Sequence, residues 1–192
     1  MRYKAILFDM DGTLLDTLTD MADAVNHILS VHGWPLRTTE EVRAFVGNGA
    51  RRLMERAVPP EVTGGDFETV LTEYRDWYQA HNCVATAPYP GIPALLAALA
   101  EAGIKTAVVS NKPDATTKTL AARFFPGLPA FGQRDDVPPK PAPDLVFRAL
   151  ETLGVDAADA IYVGDSEVDV ATARNAGLPL AAVSWGFRGR RA

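Results

Sequence analysis

Phe8-Asp9-Met10-Asp11-Gly12-Thr13-Leu14-Leu15-Asp16-Thr17 is the stretch on which the reading of this chain turns. Ahead of it, Tyr3 to Phe8 is a short, largely apolar run of the kind that forms a buried strand. The run stops at one aspartate, and a second follows two positions later. In extended backbone, residues i and i+2 point to the same side. Asp9 and Asp11 therefore aim two carboxylates into one small volume at a strand's carboxyl end, and Gly12 lets the chain turn sharply after them. Two anions this close repel, so one must hold a proton unless a cation sits between them. A tight cluster of oxygen ligands suits Mg2+. Ordinary Asp-Gly turn chemistry accounts for Asp11-Gly12 but not for Asp9 at the end of an apolar run.

Beyond this turn the period of the sequence changes. Leu18, Met21, Ala22, Val25, Ile28 and Leu29 follow helical spacing, with Gly33 placed to close the helix. Thr38 and Glu41 form a capping box, and Gly47-Asn48-Gly49 breaks the helix that follows. Leu53, Met54, Ala57 and Val58 form a third apolar face. Phe67, Val70, Leu71, Tyr74, Trp77 and Tyr78 form a fourth, whose aromatic stripe reads as packing. Residues 16–85 thus read as four helices and no strand.

From Pro88 the pattern alternates. A helix over Ile92–Ala102 precedes a strand from Ile104 to Ser110, and a helix then runs to about Phe125. Pro126 to Pro143 reads as a proline-rich loop carrying Lys140. A helix from Asp144 to Leu153, a strand Ala160–Asp165, a helix Val168–Ala176 and a strand Leu180–Ser184 follow. This alternation implies an α/β fold, a doubly wound parallel sheet flanked by helices. An all-helical module, residues 16–85, interrupts a core made of 1–15 and 86–192. In open sheets of this kind ligands bind beyond the carboxyl ends of the strands, so the module is expected to act as a lid.

Composition restricts the function classes. The 192 residues, 47% hydrophobic and 22% charged, are those of an ordinary globular protein, and the net charge of −5 argues against general nucleic-acid binding. A single cysteine, Cys83, fits a reducing cytoplasm and reads as an idle thiol. The N-terminal apolar run is too short for a signal peptide, and no stretch has the length of a membrane span. A monomer or weak dimer is expected.

The polar residues that stand out all follow a strand or lie in a loop beside one: Asp9 and Asp11, then Ser110-Asn111, then Lys140, then Asp165 and Asp169. Singly, Ser110 and Asp165 can be helix-start residues and Lys140 a solvated charge. Together, Asp9-Met10-Asp11-Gly12-Thr13, Ser110-Asn111, Lys140-Pro141 and Gly164-Asp165-Ser166 with Asp169 resemble, in order, the motifs of the haloacid-dehalogenase-like phosphohydrolases. The resemblance runs nearly the whole chain and implies a Rossmann-like core with a helical cap. It implies that Asp9 is the nucleophile, forming an aspartyl-phosphate, and that Asp11 is the acid and base. Mg2+ would be held by Asp9, the carbonyl of Asp11, and Asp165. Thr13, Ser110, Asn111 and Lys140 would hold the phosphoryl group, with Asp169 behind the metal's water or Lys140. The second aspartate, Asp11, favours phosphoryl transfer over the dehalogenase branch. The resemblance also implies a further strand and helix beyond Ala181–Gly186. This sequence stops at Ala192, and its basic Arg188–Arg191 segment reads as solvated.

The segment Val46 to Ala57 is similar to the cap of bacterial phosphoglycolate phosphatases, as are Ser110-Asn111-Lys112-Pro113 and the run from Asp135 to Pro141. Two glycines around Asn48 let amides approach a small anion, and Arg51 or Arg52 can pair with a carboxylate; a loop with solvated arginines is the alternative. The expected substrate is a small phosphorylated metabolite, 2-phosphoglycolate first. A sugar-phosphate phosphatase or β-phosphoglucomutase-like enzyme and a pyrophosphatase of the same superfamily are the alternatives. Outside enzymes, a phospho-accepting signalling receiver also groups acids, a Ser or Thr and a Lys.

Overall fold

The computed structural model describes residues 2–189. Thr17–Ala87 form one compact unit and the rest of the described chain the other. The expected boundaries, 15/16 and 85/86, lie one and two residues earlier.

The second unit is built on five parallel strands: β1 (Ala5–Phe8), β4 (Lys105–Pro113), β5 (Ala130–Gln133), β6 (Ala160–Gly164) and β7 (Leu180–Ala182). Two short strands, β2 (Leu15–Asp16) and β3 (Ala87–Pro88), flank the departure and return of the chain. The sheet order is β5-β4-β1-β6-β7, so the first strand made is the central one. Phe8 aligns with Val108 on one side and Val163 on the other. Parallel strands in register end together, which brings Asp9, Ser110 and Asp165 to one edge of the sheet.

Four helices flank this sheet: α5 (Ile92–Glu101), α6 (Asp114–Phe124), α7 (Asp144–Leu153) and α8 (Glu167–Ala176). Leu145, Val146, Ala149, Leu150 and Leu153 of α7 recur at helical spacing and are buried with Leu7, Val109 and Tyr162. Each large apolar side chain so placed contributes about 1.5–3 kcal/mol.

Two expectations change here. The proline-rich stretch read as loop contains β5, paired with β4 at Val108–Ala130 and Val109–Phe131. It is a four-residue edge strand, too short and too glycine-interrupted to show a period. The strand expected to end at Ser110 continues extended to Pro113, because Lys112 accepts a hydrogen bond from Thr117 and donates its amide to Ser110 Oγ before the helix starts.

The helical unit contains α1 (Leu18–Val31), α2 (Thr39–Phe45), α3 (Gly49–Ala57) and α4 (Gly64–His81). The Thr38–Glu41 capping box is present in both directions. Phe67, Val70, Leu71, Tyr74 and Tyr78 are buried. Trp77, expected in the same stripe, is half-buried and stacks between His27 and His81, at 4.7 and 4.0 Å between ring centres. Asp20, in the first turn of α1, is buried and accepts hydrogen bonds from the amides of Val84, Ala85 and Thr86. Cys83 is half-buried and donates to Asn82. No helix of the described residues is long and apolar enough to cross a membrane.

Candidate active site

The loop after β1 is wound around one carbonyl. Met10 O accepts the amides of Thr13, Leu14 and Leu15 at 3.0–3.3 Å, and Gly12 donates to Leu15 O. Gly12 has φ of 80°, a conformation that suits glycine. The turn holds Asp9 and Asp11 at the mouth of the sheet. Asp9 Oδ1 accepts the Met10 amide at 2.7 Å and the Lys140 ammonium at 2.9 Å, so its two fixed donors fall on one oxygen.

Lys140 is buried, not solvated. Its ammonium has three protons, and three acceptors surround it: Asp9 at 2.9 Å, Asp169 Oδ1 at 2.8 Å and the Tyr162 hydroxyl at 3.0 Å. Tyr162 passes its own proton to Val109 O at 3.1 Å. Asn111 fixes the lysine's main chain from the other side, its side chain donating to Lys140 O at 3.0 Å and accepting from Lys140 N at 2.7 Å. Asp169, fully buried, accepts from the Ser166 amide and hydroxyl through Oδ2, so both its oxygens are engaged and it orients Lys140.

Asp165 lies in a slot between two pieces of main chain. A Cβ on Gly12 or on Gly186 would fall inside van der Waals contact of the Asp165 side chain. Phe187 donates its amide to Asp165 Oδ2 at 2.6 Å, and the Trp185 indole donates to Thr13 O at 3.2 Å. The segment after β7 is thereby tied to the first loop. Gly186→Ala is expected to push Asp165 out of the slot and weaken divalent-cation binding at least about tenfold, since support of a ligand is typically worth that much. Titration calorimetry reads the change, and unaltered affinity would show that Asp165 does not need the slot.

Carboxylate oxygens of Asp9, Asp165 and Asp169 lie within 4.8 Å of one another. With Asp11 they make four acids against two lysines, Lys140 and Lys112. The site therefore carries two formal negative charges in excess, the charge of one divalent cation. The protonation behaviour reflects the same imbalance. Burial and then the Asp169 carboxylate push Asp9 well above the usual carboxylate range, against the pull of Lys140. Burial and Asp169 raise Asp165 to about 6, against the Phe187 amide. Burial opposes charge on Lys140, but Asp169 and Asp9 outweigh it and hold the ammonium well above its ordinary value. The hydroxyl of Thr13 is buried with no hydrogen-bond partner among the described residues. An acidic oxygen cluster lacking counter-charge, beside an unsatisfied hydroxyl, fits a metal ion and an anionic ligand.

A carboxyl whose pKa rises on folding holds its proton better in the folded state, so its contribution is complete below its unfolded value and is lost as pH rises through its folded one. For Asp165 that window runs from about 4 to about 6, and the displacement corresponds to roughly 3 kcal/mol. Thermal unfolding of cation-free protein should show stability falling across this window, and a divalent cation should abolish the fall at pH 7. A stability that rises with pH in the absence of metal would contradict the cluster.

Ser110 is buried, and its Oγ accepts the Lys112 amide, leaving its hydroxyl proton to donate. Asp11 turns its carboxylate to Lys112, at 3.2 Å. Asn48 and Arg51 belong to the helical unit and are engaged within it. Arg51 makes a two-pronged pair with Glu68 at 2.9 and 2.7 Å and lies over the Phe67 ring, while Asn48 accepts from Arg56. Lys112 and Ser166 lie within the quoted motifs but have no role assigned from the sequence, and Tyr162 and Gly186 are not among its candidates. Lys112 had a signal, as it directly follows Ser110-Asn111. Tyr162 had none, since an inward tyrosine on a strand reads as core. Of the basic tail, Arg188 pairs with Glu167 at 3.3 Å, and Arg190 and Arg191 lie outside the described residues.

Comparison with known proteins matches residues 6–183 to the model of the haloacid dehalogenase-like hydrolases. N-acetylmuramic acid 6-phosphate phosphatase of Pseudomonas aeruginosa is 35% identical, over 97% of this chain and 84% of its own length. A phosphoglycolate phosphatase of Xanthomonas campestris is also 35% identical, over 98% of this chain and 86% of its own. The crystal structure of a candidate phosphoglycolate phosphatase from Lactobacillus delbrueckii superposes with a TM-score of 0.93 at 36% identity, covering 99% of this chain and 90% of that one.

Proposed function

We propose that this chain, which belongs to the haloacid dehalogenase-like hydrolase family and is a phosphoric monoester hydrolase, hydrolyses 2-phosphoglycolate to glycolate and phosphate through an aspartyl-phosphate on Asp9. The receiver alternative has no place in a phosphatase family. The observation that carries the mechanism is the three-acceptor cage of Lys140, which fixes one oxygen of Asp9 and leaves the other to react.

Asp9 Oδ2 attacks phosphorus in line with the ester oxygen, and that P–O bond breaks. Asp11, protonated in the enzyme–ester complex, gives its proton to the departing oxygen, so glycolate leaves as an alcohol. Asp11, now a carboxylate, takes a proton from water, whose oxygen attacks the same phosphorus. The bond to Asp9 breaks and phosphate is released. Lys140 remains protonated throughout and offsets charge on the nucleophile and the phosphoryl group. Ser110 and Thr13 donate to the phosphoryl oxygens, with the main-chain amide of Asn111. Asp9, Asp165 and the carbonyl of Asp11 would hold Mg2+, the divalent ion that such oxygen sets suit. When bound, that ion supplies the charge neutralisation that lets an anionic ester approach three carboxylates.

The choice of substrate is supported by the phosphoglycolate phosphatases among the relatives and by the Val46–Ala57 segment with its two glycines around Asn48. A second reading, the 6-phosphate of an acidic amino sugar, is favoured by the Pseudomonas aeruginosa relative. Phosphate release measured over a panel of small esters with Mg2+ decides between them. 2-Phosphoglycolate is expected to give the highest kcat/KM, and a preference for an amino-sugar or hexose phosphate, or for pyrophosphate, would remove the first reading.

A further inference from the structure

The core site contains a second ion pair, made by a lysine other than the nucleophile's. Lys112 Nζ lies 3.2 Å from Asp11 Oδ2, and its side chain is only 4% exposed. It arrives there because β4 stays extended past Ser110 as far as Pro113, its pairing to β5 shifting register between Val109 and Pro113. Burying an ammonium costs several kcal/mol. Lys140 offsets that cost against Asp9, Asp169 and Tyr162 beside the attacking oxygen. Lys112 stands instead beside Asp11.

We infer that Lys112 is a specificity-determining residue whose ammonium receives an anionic group of the leaving alcohol, a carboxylate within a few bonds of the ester oxygen. The inference rests on the role given above to Asp11 as donor to that oxygen. A hydrogen bond from Asp11 places the ester oxygen roughly 6–8 Å or less from Lys112 Nζ. A carboxylate one carbon beyond that oxygen bridges most of the gap, and a charge-assisted hydrogen bond closes it. A leaving group whose charge is many bonds away, as in a sugar 6-phosphate, gains nothing from this lysine. Of the cations that the sequence offered for the carboxylate, Arg51 is committed to Glu68 and the Phe67 ring and Arg52 pairs with Glu55, both in their own unit.

The test is a ratio. Values of kcat/KM are measured for 2-phosphoglycolate and for 2-hydroxyethyl phosphate, its counterpart with a hydroxymethyl group in place of the carboxylate, with Mg2+, in wild type, Lys112→Met and Lys112→Arg. Wild type should prefer the acid by about 100-fold, Lys112→Met should lower that preference at least about 30-fold, and Lys112→Arg should retain most of it, as expected for one hydrogen bond between charged groups. A ratio that stays within about threefold of wild type in Lys112→Met overturns the inference however far both rates fall, because the lysine would then serve Asp11 alone. A wild type that does not distinguish the two esters sinks the substrate reading as well. Circular dichroism checks that the variants fold; if Lys112→Met does not, Lys112→Gln, which keeps a donor toward Asp11, is read by the same ratio.

Discussion

Asp9→Asn abolishes phosphate release, by about 10,000-fold or more, while the protein stays folded and becomes no less stable. The amide can keep its oxygen where Met10 N and Lys140 Nζ converge on Oδ1, and its nitrogen takes the place of Oδ2, which is the reacting atom. A neutral amide cannot attack phosphorus at a useful rate, so the two-step route is lost altogether. The effect on stability has the other sign. Asp9 sits with Asp165 and Asp169 in a cluster whose mutual repulsion raises its pKa, and removing one charge relieves that repulsion when no cation is bound. Steady-state phosphate release and thermal unfolding, measured in the same buffer with and without Mg2+, test both halves. Quenched wild type should also carry the mass of one phosphoryl group that the variant lacks. Turnover within 100-fold of wild type would overturn the nucleophile assignment.

Lys140→Met combines catalytic and structural loss. The substitution keeps the length of the side chain but removes the cation at one oxygen of the fully buried Asp169 and the ammonium that pairs with Asp9. Breaking a buried pair from one side costs about 3–5 kcal/mol, and loss of a positioned cation at the phosphoryl site is expected to cost a further factor of about 1,000 in kcat. Lys140→Arg should not restore activity: a planar fork of donors cannot serve three acceptors set around a single nitrogen. Denaturant unfolding and phosphate release are the measurements. Activity within tenfold of wild type in either variant would mean that the cage around Lys140 is structural only.

What the sequence shows and what it hides have physical causes. The paired carboxylates at the end of an apolar run, the helical spacing of residues 18–29 and the Thr38–Glu41 box are local features, and each is carried by neighbours in the chain. The strand Ala130–Gln133 is not local. It is held by pairing to β4, and nothing inside four residues announces it. The same limit bears on Lys112: it follows Ser110-Asn111 directly, but with β4 taken to end at Ser110 it reads as part of a helix start. Asn111 was expected to present its amide to an anion; its side chain clamps the main chain at Lys140 across 29 positions, which no spacing rule reveals. Gly186 is legible only as a turn residue until Asp165 is seen filling the space that a side chain would need.

The strand order carries one more implication, for biosynthesis. β1 leaves the ribosome first but lies between β4 and β6, so its neighbours on both sides are translated much later. The nascent chain must carry an apolar strand ending in acids until Lys140 has been made to meet them. Completion of the sheet and assembly of the catalytic charges are thus one late event, and an unfinished polypeptide has no means of attacking a phosphate ester.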